Sequence, residues 1–342
     1  MSASAAEAAE YHSKDFDWET LRQGIENDPS LSHHLLPFVS PQPEQQLPKD
    51  PIKAWQSFHI QHSSGKFFKE RRYLLKEFPE LVSCGDYGSK VLEVGCGNGS
   101  TALPILRGNE NIIIYACDCS NETLQRAKEF VAASNVASVE HRFCPFYCDF
   151  ATTGFPKWLA CEYCRENFEQ KDQNCVSDVR GKQTLETDSW SIEERSCCIG
   201  GVDFVTLIFT LSAVPLQIMP AALKECFSVL KPGGMLLFRD YGIDQQLIML
   251  LLSEVVKCDR SIVYMIFAML RFEPDQRVGF REYMRSDGTR SYFFCLDTVR
   301  NLFIGAGFIE LEIEYCCVKS VNRRNGKNMQ RVWVHGKFQK PA

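Results

Sequence analysis

The chain lacks an apolar run long enough to cross a bilayer. Its stretches Leu247–Leu252 and Ile262–Leu270 fall well short of the roughly 20 residues that a spanning helix needs, and Glu254, Lys257, Asp259 and Arg260 separate them. They read as a buried helix or as a lid over an active site. The first ten residues, Met1–Glu10, carry neither a cationic start nor an apolar run. Neither a secretory signal nor an arginine-rich transit peptide is readable there, so the expected compartment is the cytoplasm, with the nucleus open. A secreted-type cysteine pattern is also missing. Of the 16 cysteines, those at Cys96, Cys117, Cys226 and Cys316 lie inside strand-like runs, which suits reduced, small, buried side chains.

Net positive charge is absent too. With 38 Lys and Arg against 43 Asp and Glu, the formal charge is -5, which excludes a globally basic nucleic-acid binder. The bases are nevertheless gathered locally in three groups: Lys66, Lys69, Arg71, Arg72 and Lys76 among Phe67, Phe68 and Tyr73; Arg277, Arg281, Arg285 and Arg290; and Lys319, Arg323, Arg324, Lys327 and Arg331. Bases mixed with aromatics suit phosphate contacts with base stacking. Any one group by itself also matches a solvated helix face.

Against these absences stands Val91-Leu-Glu-Val-Gly-Cys-Gly-Asn-Gly-Ser100, an apolar strand running into glycines spaced G-x-G-x-G. Gly95, Gly97 and Gly99 allow a sharp turn and let backbone lie against a ligand. The spacing differs from the G-x-G-x-x-G of a dinucleotide site, and nothing in it asks for a pyrophosphate. One strand and helix later, Asn111–Asp118 is a second apolar strand ending in a carboxylate, where Asp118 can accept both hydroxyls of a ribose. Together these segments predict a nucleoside cofactor. Glu93, inside the first strand, is a polar group that a buried strand needs a partner for. It suits the amino group of an amino-acid-bearing cofactor, or hydrogen bonds to neighbouring loop amides.

Residues 1–51 are polar, carry Pro37, Pro41, Pro43, Pro48 and Pro51, and read as a mobile arm. Residues 52–86 predict a helical cap over the cofactor end. From residue 87 to 342, strands and helices alternate, with strands expected at 90–94, 112–117, about 140–146, 201–210 and 235–242. Helices are expected at about 100–107, 120–134, 218–230 and 296–306. Repeated βα units predict an α/β fold with a doubly wound, mostly parallel sheet, and Phe308–Val318 with Arg331–Phe338 predicts a C-terminal antiparallel hairpin. That combination is the seven-stranded Rossmann-like architecture of methyltransferases. Two segments interrupt it, at about 157–200 and 243–270. Between Cys161 and Cys198 the first carries nine acids and five bases, as a surface insertion would. Cys161-x-x-Cys164 opens that insertion, but the adjacent Cys197 and Cys198 make a poor second half of a zinc site, and no metal is assigned.

Eight segments carry a family resemblance: Trp55-x-x-Phe58, Phe67-Phe-Lys-Glu-Arg71, Leu92–Gly99, Ala116-Cys-Asp118, Cys148-Asp-Phe150, Leu207–Val214, Phe238-Arg-Asp-Tyr-Gly242 and Asp287–Phe294. Over residues 52–156 and 199–340 the chain resembles the methyltransferase-like family that forms 3-methylcytidine in tRNA anticodon loops, at tRNA position 32. The resemblance implies methyl transfer from S-adenosylmethionine to cytidine N3. Position by position, it implies cofactor contacts from Gly95, from Asp118 to the ribose, from Asp149 and Phe150 to the adenine, and from Ile208, Trp55 and His59. The family commonly has Tyr where this chain has His59, and Asp where it has Glu70. Relatives also act with a protein partner such as an aminoacyl-tRNA synthetase, so an accessory protein is expected beside tRNA, and no membrane.

Cytosine N3 has a free lone pair, so in-line attack needs positioning and desolvation more than a strong base. The product base is cationic. Asp240, at the end of the strand holding Arg239, is the candidate to stabilise that charge, and the pair is assigned as catalytic; a structural salt bridge of Asp240 to Arg239 or another arginine is the competing reading. Phe67, Phe68, Lys69, Arg71, Arg290, Arg323 and Arg324 are assigned to the substrate, since a stacked nucleotide must be unstacked before modification. Family members pass from the Arg-Asp-Tyr-Gly strand almost directly into a segment like Met269–Phe272, so the residues near 245–268 are extra and are expected to perturb the substrate side. Two rivals are a small-molecule methyltransferase, which leaves the basic runs unused, and a noncatalytic RNA-binding or scaffold protein disabled by the insertion at 243–270.

Overall fold

The computed structural model describes residues 51–61, 70–83, 88–166, 197–242, 272–321 and 328–342. The arm, Phe67, Phe68, Lys69, Arg323, Arg324 and the segment 243–271 therefore lie outside the described residues. In chain order the main elements are α1 (Pro51–Gln61), β1 (Ser89–Val94), α2 (Ala102–Gly108), β2 (Ile112–Asp118), α3 (Asn121–Ala132), β3 (Phe143–Tyr147) and β4 (Val202–Ile208). They continue with α4 (Met219–Val229), β5 (Leu230–Tyr241), β6 (Arg277–Gly279), β7 (Glu282–Met284), β8 (Arg290–Tyr292), α5 (Leu296–Gly305), β9 (Ile309–Val321) and β10 (Asn328–Gln339).

Seven strands form one sheet in the order β3-β2-β1-β4-β5-β10-β9. β3, β2, β1, β4 and β5 run parallel, while β10 is antiparallel to β5 and to β9. This is the mostly parallel sheet with a C-terminal antiparallel hairpin that the alternating pattern predicts. Strands buried on both faces must be apolar throughout. On one face of the sheet Leu92, Leu207, Phe238, Phe294 and Phe303 share a core; on the other, Val91, Ile105, Ile114, Leu237 and Phe78 share a second.

Local chemistry sets the element ends. Ser120 is extended at the start of α3, and its hydroxyl accepts the Thr123 N–H at 3.3 Å, satisfying one of the free amides of the first turn. Pro232-Gly233-Gly234 stands just ahead of the strand expected at 235–242. It instead lies within β5 as an irregularity, the pairing with β4 jumping between Val202 and Phe204, with Gly233 at φ +73°.

Two features differ from expectation. Residues 277–292 form a separate three-stranded antiparallel sheet, β6-β7-β8, whose three-residue strands are too short to leave an alternating pattern. The cysteines of the first insertion also come together: the sulfurs of Cys161, Cys164, Cys197 and Cys198 all lie within 4.8 Å of one another. Adjacent cysteines are thus no obstacle to a fourfold cluster here.

Candidate active site

The strand order reverses between β1 and β4, and the crevice at the carboxyl ends of the strands is where such sheets place ligands. Parallel register brings Val94, Cys117, Leu207 and Phe238 level across the sheet, so the residues just past them converge. Gly95, Gly97 and Gly99 have φ of +67°, +54° and +81°, all in the left-handed region that glycine tolerates. Their tasks differ. A methyl on Gly95 would meet Thr210 Cγ2 and Oγ1 at 2.6 and 2.7 Å, whereas one on Gly97 would lie 3.9 Å from the His59 ring. Gly99 packs on Val131 and Ala127 of α3.

Asp118 closes the loop. Its two carboxylate oxygens accept the N–H of Gly97 at 3.1 Å and of Ser120 at 3.0 Å. Burial pushes its carboxyl up to about 6 against those amides. Glu93 is deeper. Burial pushes it up to about 8, only partly opposed by the charge of Arg71, a bond from Thr101 and the Ala102 amide. Its Oε2 is buried with no hydrogen-bond partner, as is Asn98 Oδ1 in the loop itself. A buried carboxylate oxygen left unpaired is costly, and Glu93 stands beside Asp118 and the start of α2. These residues fit an amino-acid-bearing nucleoside such as S-adenosylmethionine.

The cap lies over the same loop. In α1 the rings of Trp55, Phe58 and His59 cluster, with centroids 5.3 to 6.2 Å apart, and the His59 carbonyl accepts Arg126 Nη1 of α3 at 2.8 Å. The turn of the Asp287-Gly-Thr motif reaches it as well: a methyl on Gly288 would touch Ala54 at 3.5 Å. Asp149 follows β3 beside this loop. The Phe150 ring is buried and stacks on Phe155 at 5.8 Å, and Ile208 is buried at the end of β4.

The catalytic and substrate assignments fare differently. Arg239 is fully buried, not in the crevice. It pairs with Glu77 and sits over the rings of Tyr73 at 4.9 Å and Trp333 at 5.7 Å. Glu77 in turn bonds His335 Nδ1 at 2.9 Å. Adjacent residues of a strand point to opposite faces, so Asp240 cannot share that partner. Asp240 is also fully buried, and its oxygens accept the N–H of Ser212 and of Tyr241, each at 2.9 Å. Burial pushes its carboxyl up to about 6. In this structure both side chains are committed to protein partners, Arg239 to Glu77 and Asp240 to the Ser212 and Tyr241 amides. Arg290 is buried too, its Nη1 bonded to Glu282 at 2.7 Å, so it presents no cation to a phosphate.

Arg71, assigned to the substrate, is anchored beside the glycine loop. Its backbone amide bonds Ser100 O at 3.0 Å, Nη1 bonds Thr101 Oγ1 at 2.8 Å, and its guanidinium lies 5.3 Å over the Phe209 ring. Around it stand residues that the sequence assignments did not include. Phe209 holds φ +58°, a strained state for a bulky residue of the kind that concentrates at functional sites. Its ring meets Trp333 at 4.9 Å and Tyr241 at 5.5 Å, and Arg285 Nη2 reaches Tyr241 Oη at 3.5 Å. Phe209 and Tyr241 both lie in segments singled out by resemblance. The signal missed was the meeting of β4, β5 and β10, which no local pattern encodes.

Residues 67–312 match the family described as methyltransferase domain. The tRNA N(3)-cytidine methyltransferase METTL6 of Rattus norvegicus is 33% identical over 307 residues, 89% of this chain and 84% of the relative. The chain belongs to the tRNA N(3)-cytidine methyltransferase family. A second member, the tRNA N(3)-methylcytidine methyltransferase Mettl2 of Drosophila melanogaster, is 30% identical over 305 residues, 87% of this chain and 74% of that one. Among solved structures, a SAM-dependent methyltransferase from Methanosarcina mazei covers 77% of this chain and 97% of its own at 14% identity, with a TM-score of 0.46. In this methyltransferase the glycine cradle and the Phe209–Tyr241–Arg71 surface adjoin at the carboxyl ends of β1, β4 and β5. No helix among the described residues is long and apolar enough to cross a membrane.

Proposed function

We propose that this methyltransferase transfers the methyl group of S-adenosylmethionine to N3 of a cytidine in the anticodon loop of tRNA; the names of its relatives give N3 of cytidine and tRNA. The observation that carries the reading is the unpaired Glu93 oxygen beside Asp118 and the glycine loop, next to an aromatic and cationic surface made by Phe209, Tyr241, Arg71 and Arg285. Bound there, S-adenosylmethionine supplies a sulfonium methyl for in-line attack by the N3 lone pair. Glu93, Asp118 and the glycine amides hold and orient the donor. Phe209 and Tyr241 offer ring faces on which an unstacked cytosine can lie. Arg71 and Arg285 offer charge to the flanking phosphates, and α1 covers the crevice against water. Asp240 keeps Tyr241 and the Ser212 loop in place beneath.

An accessory partner such as an aminoacyl-tRNA synthetase, and action in the cytoplasm or nucleus, belong to the same proposal. Total tRNA incubated with the purified chain and S-adenosylmethionine, then digested to nucleosides and analysed by mass spectrometry, should gain 3-methylcytidine. A preparation that binds S-adenosylmethionine yet methylates no tRNA, with or without a cell extract, would sink the reading.

A further inference from the structure

The cysteine cluster lies at the other end of the sheet from the glycine loop. β4 begins at Val202, and its far end, Ile208, meets the crevice; Cys198 stands just before its start, where Ile199 N–H bonds Trp158 O at 2.9 Å and Gly201 N–H bonds Leu159 O at 2.8 Å. These bonds tie the incoming and outgoing ends of the insertion together. They bring Cys197 Sγ to 3.5 Å from Cys161 Sγ, 3.4 Å from Cys164 Sγ and 4.0 Å from Cys198 Sγ.

A tetrahedral zinc site with bonds of about 2.3 Å has sulfur-to-sulfur edges of about 3.8 Å. The cluster's distances straddle that edge, and all four sulfurs lie within 4.8 Å, which is the spacing of ligands on one ion. A polynuclear iron–sulfur cluster spreads its four thiolates over two or more irons, so thiolates on different irons stand further apart than these sulfurs do. A backbone amide already points at one of the sulfurs: Gly200 N–H donates to Cys198 Sγ at 3.3 Å, the kind of contact that orients a ligating side chain. Two ligands from a C-x-x-C turn and two from a segment far along the chain also make the cluster long-range, as a structural staple must be.

We propose that Cys161, Cys164, Cys197 and Cys198 bind one structural zinc ion that clamps both ends of the insertion at the base of β4. All four positions are filled by protein, so the ion has no open site for chemistry. Its work is to hold Cys161 and Cys164 against Cys197 and Cys198 at the base of β4.

The test uses the full chain, purified under reducing conditions with neither chelator nor added metal. Elemental analysis should find about one zinc per chain, as a closed four-thiolate site holds, lost in the C161S/C164S double variant. Because that variant may not fold, the unaltered chain is also reconstituted with cobalt(II), and should show thiolate-to-cobalt charge transfer with the intense visible bands of a tetrahedral sulfur site. Iron in place of zinc, a metal-free chain with four freely reacting thiols, a disulfide among the four in peptide mapping, or the weak bands of octahedral cobalt would each overturn the proposal.

Discussion

Glu93 is the residue whose ionisation the fold most alters. Its ordinary value of 4.5 is raised to about 8 by burial, so the folded, ligand-free chain holds a proton at pH 7 that the unfolded chain has released. By linkage this contribution to stability is complete below 4.5 and is lost as pH rises towards 8. A cationic amino group arriving at the unpaired oxygen reverses the preference and expels the proton. Calorimetry of S-adenosylmethionine binding at pH 7, in buffers of different ionisation enthalpy, should therefore detect up to about one proton released. Glu93→Gln should abolish that release and weaken binding about tenfold or more, as loss of a charged hydrogen bond does. Asp240 makes a different prediction. An amide in its place would turn an N–H towards the Ser212 or the Tyr241 amide, at a cost of about 1–3 kcal/mol. Asp240→Asn should slow single-turnover methylation more than it weakens S-adenosylmethionine binding; an unchanged rate would remove Asp240 from the acceptor side.

At the scale of elements, the glycine loop is held by steric fit as much as by backbone freedom. Gly95 and Gly233 both adopt positive φ, but a methyl on Gly95 would strike Thr210 while one on Gly233 would meet nothing within 4 Å. Gly233→Ala should thus cost only the strain of its conformation, about 1 kcal/mol, whereas Gly95→Ala adds displacement of the loop. Thermal melts should show both losses, and S-adenosylmethionine titration should show lost affinity for Gly95→Ala alone. Equal affinity in the two variants would mean that the loop yields without disturbing the cradle.

Over the whole molecule, Glu77, Arg239 and His335 join the cap side to β5 and β10 through one buried network. Burial works to raise the Glu77 carboxyl, but Arg239 and His335 together hold it below its usual range. A carboxylate held that way stabilises the fold above its unfolded value, and the stabilisation is lost as pH falls. Removing one partner strands a buried charge. Arg239→Met should therefore destabilise the chain by about 3–5 kcal/mol in urea unfolding. A variant that kept full stability and lost only methylation would return Arg239 to a catalytic role.

The sequence by itself determined the mostly parallel sheet, its C-terminal hairpin and the family. Apolar strands alternating with amphipathic helices leave few ways to bury both faces, and Gly95, Asp118 and Glu93 stand within one βαβ stretch whose geometry is local. The roles of Arg239, Asp240 and Arg290 were decided only by tertiary structure, because whether a charged side chain faces a crevice or a buried partner depends on residues such as Glu77 and Glu282, which no motif links to them. The same holds for the Phe209–Tyr241–Trp333 surface and the four cysteines. The aromatic residues meet because parallel strands and an antiparallel hairpin bring distant segments into register, while Cys197 and Cys198 reach the Cys161-x-x-Cys164 turn through the backbone bonds of Ile199 to Trp158 and of Gly201 to Leu159.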